Sequence, residues 1–342
     1  MDSTTERLVD YTLNVSYESM SPNVIRGCKD RILDALGCLA GAVDHPVSEK
    51  VCRLASRYSM DTNATIIATG KKVAPEMAAF ANSTMIRVLD LSDSYRVKSG
   101  GHPSDHMGAP FAAAEIAGSM GKDLMAAIAL GYEIYGSFTE AVDFNGQGWD
   151  QPLYCVVASA LSAGKLLGLD REALGHAVAL ALVPNMPMYQ TRMGELTEWK
   201  GCAGPNAARN GFFAALLAQE GIAGPEAPFE GKFGLWDVVG KFSLPLEPGD
   251  PPKRIAYSNL KTFPICYQCQ TAAWTALDVR DLFGAGDVEK ILVETYHKSY
   301  LMTGSDPNRW APKTRETADH STPYVVATVL LQGDVGESAF SE

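Results

Sequence analysis

Gly108-Ala-Pro-Phe-Ala-Ala-Ala-Glu-Ile-Ala-Gly-Ser119 runs almost directly into Asp123-Leu-Met-Ala-Ala-Ile-Ala-Leu-Gly-Tyr-Glu-Ile-Tyr-Gly-Ser-Phe-Thr-Glu-Ala-Val142. Both stretches are rich in alanine and apolar on most sides. A surface helix shows one apolar stripe, whereas a helix that is apolar nearly all round must be enclosed by others. The pair predicts helices buried in the middle of a bundle, and hence a mainly α fold.

The same texture extends outward from this pair. Upstream, Ser21-Pro22 combines a helix cap with a first-turn proline, and Ile25, Cys28, Ile32, Leu33 and Leu36 behind it fall at helical spacing. Downstream, Gly168-Leu-Asp170 reads as a helix stop followed by a cap, separating Cys155–Leu167 from Arg171–Val183. Ala203 to Glu220 predicts a further helix of small residues. No fixed repeat relates one helix to the next, which argues against a solenoid.

The texture changes at Leu244-Pro-Leu-Glu-Pro-Gly-Asp-Pro-Pro252, which reads as a linker. Beyond it, Tyr267–Phe283 is expected to be helical. Val288–Tyr296 alternates like a strand, and Ser321-Thr-Pro323 caps a helix running to about Leu331. The expected organisation is an all-helical domain over 1–250 and a mixed α/β domain over 255–342, the latter short for an independent unit.

Composition narrows the function classes. The chain has 342 residues, 46% of them hydrophobic, and a net charge of −11. Nucleic acid and anionic membranes are poor partners for so acidic a surface, because both are bound through clustered Lys and Arg. No secretory leader pattern and no membrane-spanning run is evident. Seven cysteines, an odd number, fit a reducing compartment, so a cytoplasmic protein is expected.

No Walker A loop and no GxGxxG after a strand occurs. Cys266-x-x-Cys269 lacks a second pair and reads as two ordinary thiols at a helix start. Three polar clusters remain. Leu89-Asp-Leu-Ser-Asp-Ser94, continued by Gly100-Gly-His-Pro-Ser-Asp-His106, gathers carboxylates, hydroxyls and imidazoles. Its residue types suit a capping loop, with Ser104 or Asp105 as the cap, as well as an acid–base site around His102. The second cluster places Lys200 before Gly201-Cys-Ala-Gly-Pro205, read as a turn ahead of a helix start; this suits a carboxylate ligand, although a lone Lys is commonly a solvated charge. In the third, Lys261 lies between apolar residues near the domain junction.

Taken together and in order, these clusters resemble the MmgE/PrpD family. The matching stretches are Arg31-Ile-Leu-Asp-Ala-Leu-Gly37, Gly101-His-Pro-Ser-Asp105, Gly148-Trp-Asp150, Gly164-Lys-Leu-Leu-Gly-Leu169 and Glu198-Trp-Lys200. They continue through Asn206-Ala-Ala-Arg-Asn-Gly211, Lys261-Thr-Phe-Pro264 and Lys313-Thr-Arg-Glu-Thr-Ala-Asp-His-Ser-Thr-Pro-Tyr324. The resemblance spans essentially the whole chain, and the last motif is the most specific.

What the resemblance implies is a large all-helical domain with a smaller α/β lid, an active site between them, a homodimer, and no metal or organic cofactor. Its known activities act on small di- and tricarboxylates, and include 2-methylcitrate dehydration, a step of propionate metabolism, and cis-aconitate decarboxylation. Carried over by motif, the site residues are Asp90, Ser94, His102, Lys200, Lys261 and Tyr324, with Ser94 where the decarboxylase branch has Thr. Gln151 stands where that branch has a histidine, which favours dehydration over decarboxylation. Family members continue beyond the position of Glu342, so the lid is expected to be shortened.

On this reading His102 moves the proton and Asp90 orients or tunes it. Lys200 and Lys261 hold substrate carboxylates, with Ser94 and Gln151 also contacting substrate, and Tyr324 donates to the substrate or to the leaving oxygen. The alternatives are a cis-aconitate-type decarboxylase, an isomerase or epimerase acting on a dicarboxylate, and a non-catalytic dimerisation protein left by truncation.

Overall fold

Ala126 through Thr139 are buried without a break in the helix Gly121–Ala141, as its all-round apolar composition requires. In the computed structural model of the chain, which describes residues 1–340, this helix packs on Pro152–Leu166, itself buried from Pro152 to Gly164. Gly108–Ala117 packs against Pro75–Arg87, and Arg171–Leu182 against Pro152–Leu166. The cap predicted at Asp170 is present: its carboxylate accepts the Ala173 N–H at 2.9 Å.

The chain divides into two compact units. The first comprises Met1–Val88, Ser92–Tyr189 and Gly201–Leu260; the second comprises Leu89–Leu91, Gln190–Lys200 and Lys261–Glu342. The first unit is the helical bundle, with one hairpin of Ser59–Ile66 and Lys71–Val73 and a two-residue pair, Tyr95–Arg96 with Gly100–Gly101. The proline-rich stretch does not end this unit. Beyond it Arg254 is buried, its guanidinium 2.5 Å from Glu133 Oε2 and 2.6 Å from Glu140 Oε2. In the second unit Gln270–Arg280 packs on Thr322–Gln332 around Phe263, Ile265, Cys269, Ala273, Val325 and Val329.

The fold is thus mainly helical as expected, but several details differ. The mixed α/β character predicted for the second segment is absent: Val288–Tyr296 forms no strand, and the second unit has none among the described residues. A lone strand has no partner for its N–H and C=O groups, so alternation alone does not make a sheet. In Pro22–Gly41 the buried stripe is Val24, Gly27, Cys28, Ala35, Cys38 and Leu39, while Leu33 is 73% exposed. Small residues let the neighbouring backbone approach (Gly27 faces Ala256), so the stripe follows the close-packing side rather than the bulkiest side chains. Gly201–Pro205 is helical, not a turn, within Trp199–Gln219. Gly204 is needed there because a Cβ would overlap the Asp105 carboxylate.

Candidate functional site

Two polar clusters, one in each unit, carry the predicted residues other than Tyr324. In the first unit the pair Tyr95–Arg96 and Gly100–Gly101 delivers the chain to His102. Ser94 fastens this pair: its hydroxyl donates to the Gly101 carbonyl at 3.3 Å and accepts from Arg96 Nε at 3.0 Å, and its N–H bonds the Asn259 carbonyl. The backbone N–H of His102 donates to Gln151 Oε1 at 2.7 Å, and its Nδ1 lies 2.7 Å from the Asp93 carbonyl oxygen. A carbonyl only accepts, so the neutral ring carries its proton on Nδ1 and its basic lone pair on Nε2.

Gln151 organises this loop. Its Oε1 also accepts from the Tyr135 hydroxyl at 2.5 Å, and its Nε2 donates to Asp105 Oδ2 at 3.3 Å. Both donors face the oxygen and the carboxylate faces the nitrogen, which fixes the orientation of the amide. Gly101 has no Cβ because one would overlap the Gln151 amide and the Tyr135 hydroxyl. Neither Ser104 nor Asp105 caps the following helix, Gly108–Ala117, whose cap position makes no side-chain hydrogen bond. Asp105 instead faces buried Arg87, with Nε and Oδ1 3.6 Å apart. Buried His106 is a core histidine whose Nδ1 lies 2.6 Å from the Pro103 carbonyl oxygen; burial lowers its pKa from 6.5 to about 4, against that hydrogen bond.

The second unit assembles charge. Asp90, buried, adopts a left-handed backbone with φ of 53°, a conformation that costs a non-glycine residue about 1–3 kcal/mol and is found mostly where function or packing requires it. Lys261 Nζ donates to the Asp90 backbone carbonyl at 2.5 Å and to its Oδ1. Lys200 Nζ lies 2.6 and 2.7 Å from the two oxygens of Asp319, 3.2 Å from Asp90 Oδ2 and 3.4 Å from His320 Nδ1. His320 Nδ1 is 2.5 Å from Asp319 Oδ1, and Arg315 Nη1 is 3.3 Å from Asp319 Oδ2.

Local sequence explains how Asp319 and His320 come to lie there. Thr314 caps the short helix Arg315–Ala318, Ser321 caps Thr322–Gln332, and Asp319-His320 is the corner between them. The Asp319 carbonyl also accepts from the Cys266 N–H at 2.8 Å. Burial alone would raise the Asp319 pKa, but the charges of Lys200 and His320 outweigh it and hold the carboxyl below its usual range. Asp90, Asp319 and His320 offer atoms within 4.8 Å of one another, a set able to hold a cation. The Lys200 ammonium stands among them in that capacity.

Of the predicted residues, the structure brings Asp90, Lys200 and Lys261 together, and joins His102 to Gln151. Both ammonium groups face aspartates and their side chains have no exposed surface. The Tyr324 hydroxyl donates to the Ala339 carbonyl at 2.5 Å, with its ring stacked on Phe340. Asp319 and His320 escaped selection as site residues. The available signal was two adjacent titratable residues inside the most specific motif, immediately before a helix cap.

The model of the MmgE/PrpD N-terminal domain matches residues 6–244, and that of the C-terminal domain matches residues 263–342. The 2-methylcitrate dehydratase of Salmonella typhi is 28% identical over 347 residues, covering 95% of this chain and 71% of its own length. That of Cupriavidus necator is 27% identical over 95% of this chain and 70% of its own. The cis-aconitate decarboxylase of Mus musculus is 27% identical over 99% of this chain and 72% of its own. Among the described residues, no helix is long and apolar enough to cross a membrane.

Proposed function

This chain belongs to the MmgE/PrpD family, and from that premise we propose that it is a lyase, a dehydratase of 2-methylcitrate or a similar small di- or tricarboxylate, acting by general acid–base catalysis through its own side chains. The observation that carries the reading is the His102 hydrogen bond to the Asp93 carbonyl. It sets the neutral ring as the Nδ1–H tautomer, so that Nε2 carries the lone pair able to take a proton, on a backbone clamped by Gln151. Dehydration removes a proton beside a carboxylate, passes through an aci-carboxylate-like charge distribution and expels a hydroxyl as water. His102 takes the proton.

In the second unit Lys200 and Lys261 would hold the substrate carboxylates, within a network of buried charge. Lys200 is already paired with Asp319 and Asp90, and Lys261 with Asp90, so neither ammonium stands free as a ready-made anion trap. A substrate carboxylate reaches a lysine by displacing an aspartate oxygen. Such an exchange rejects uncharged ligands, because only an anion replaces what is lost.

Proton NMR of the protein with 2-methylcitrate, citrate and cis-aconitate in D₂O, with and without chelator, tests the reading. Conversion of 2-methylcitrate to an alkene that persists with chelator is the expected result, read as collapse of its methyl doublet to an allylic singlet or, for elimination toward the CH₂ arm, as a new vinylic signal. Consumption of cis-aconitate to a decarboxylated product moves the assignment to that reaction. Inertness toward all three overturns the lyase reading for these substrates.

A further inference from the structure

Only one end of the His320 ring is engaged. Its polar neighbours, Asp319 Oδ1 at 2.5 Å, Lys200 Nζ at 3.4 Å and Asp90 Oδ2 at 3.6 Å, all gather on Nδ1. Lys200 has no acceptor to offer, so the short contact to Asp319 is the hydrogen bond, and Nδ1 is the donor. Among the described residues Nε2 makes no hydrogen bond, and it is not among the fully enclosed polar atoms that lack a partner; the side chain keeps 10% of its surface. A carboxylate that holds Nδ1–H, is itself held by an ammonium and an Arg, and leaves Nε2 unbonded is the arrangement by which proteins position an imidazole for proton transfer.

We infer that His320 is the general acid of the reaction: as imidazolium it delivers the Nε2 proton to the departing hydroxyl, while Asp319 positions the ring. The inference rests on the lyase reading and adds to it a group that the sequence motifs did not single out. The proton balance closes. The base takes the substrate C–H proton, and the C–H electron pair becomes the C=C bond. The C–O bond breaks with its electrons on oxygen, which leaves as water with the proton from His320, and the ring is reprotonated before the next turnover.

The two histidines differ in what faces Nδ1. For His102 it is a neutral carbonyl; for His320 it is a carboxylate, which stabilises the charged ring. Burial works against the His320 imidazolium and so does Lys200, but Cys266 and Asp319 outweigh them and raise its pKa above the usual value.

The test compares two substrates: the hydroxy acid turned over by the protein, and its analogue with the hydroxyl replaced by chloride, a leaving group that needs no proton. His320→Gln is expected to slow water loss by about 10²–10⁴-fold and to slow chloride loss far less, whereas His102→Gln slows both. His320→Gln slowing both reactions equally, or neither, overturns the assignment. The wild-type protein gives a second readout that does not depend on the variant folding. Its kcat/KM for the hydroxy acid falls on the alkaline side as the acid deprotonates, and that fall is absent with the chloro analogue; an identical alkaline limb for both overturns the assignment. Wild-type protein inert toward the hydroxy acid overturns the lyase reading itself, and the acid assignment with it.

Discussion

Lys200 Nζ sits 2.6 and 2.7 Å from the two carboxylate oxygens of Asp319, and neither side chain has exposed surface. A buried charge is tolerated only while its partner remains, because water no longer solvates it. Lys200 serves two aspartates at once, since Asp90 Oδ2 is 3.2 Å away. Removing the lysine therefore strands negative charge in a dry place.

Lys200→Met is expected to lower stability by about 3–5 kcal/mol, read as a lower urea midpoint, in the range known for breaking a buried pair. Adding Asp319→Asn in the same chain should recover part of the loss, since fewer uncompensated charges stay buried. Additive losses in the double variant would mean that the two groups are not coupled.

Gln151→Ala leaves two buried donors, the His102 N–H and the Tyr135 hydroxyl, without their acceptor. Each such loss costs about 1–3 kcal/mol. If the amide also positions His102, kcat falls more than stability predicts, while KM changes little. Gly101→Ala drives a methyl into the same amide and should produce a similar profile, at about 1–3 kcal/mol of overpacking. Unchanged melting temperatures in both variants would refute the clamp.

His106 gives a pH dependence of stability. Burial holds its ring neutral, with the pKa lowered from 6.5 to about 4. Between those values the unfolded chain takes up a proton that the folded chain refuses. Stability from this group is therefore complete above pH 6.5, is lost as pH falls toward 4, and amounts to about 3 kcal/mol in all. His106→Gln should flatten that part of the stability curve in urea titrations at pH 7, 6, 5 and 4. Parallel curves for the two proteins would count against a buried neutral ring.

His102→Ala is expected to reduce turnover by about 10²–10⁴-fold with the fold retained, as measured by product formation and circular dichroism. Wild-type turnover in this variant would remove His102 from the mechanism.

Much of the helical bundle could be read from composition, because segments such as Ala126–Thr139 have no polar face to turn outward and so leave a single packing solution. The capping reading of Ser21, Asp170 and Ser321 worked for the same local reason: each oxygen satisfies an N–H three residues away. Reading the Pro22–Gly41 face failed because which side of a helix is buried depends on what approaches it, and Gly27 invites backbone where Leu33 does not. Val288–Tyr296 failed as a strand because a strand is defined by its partner.

The sequence by itself determined the helical class, the caps and the residue types from which acid–base chemistry is made, since these follow from neighbours within a few positions along the chain. Only the tertiary structure decided how those types are paired. It matched Lys200 with Asp319, across 119 positions, and Lys261 with Asp90, across 171. It also gave His102 a carbonyl and His320 a carboxylate. The reason is physical: the charge state of a buried group depends on which partner lies within a few ångströms once water is gone, and that distance is set by the folded chain.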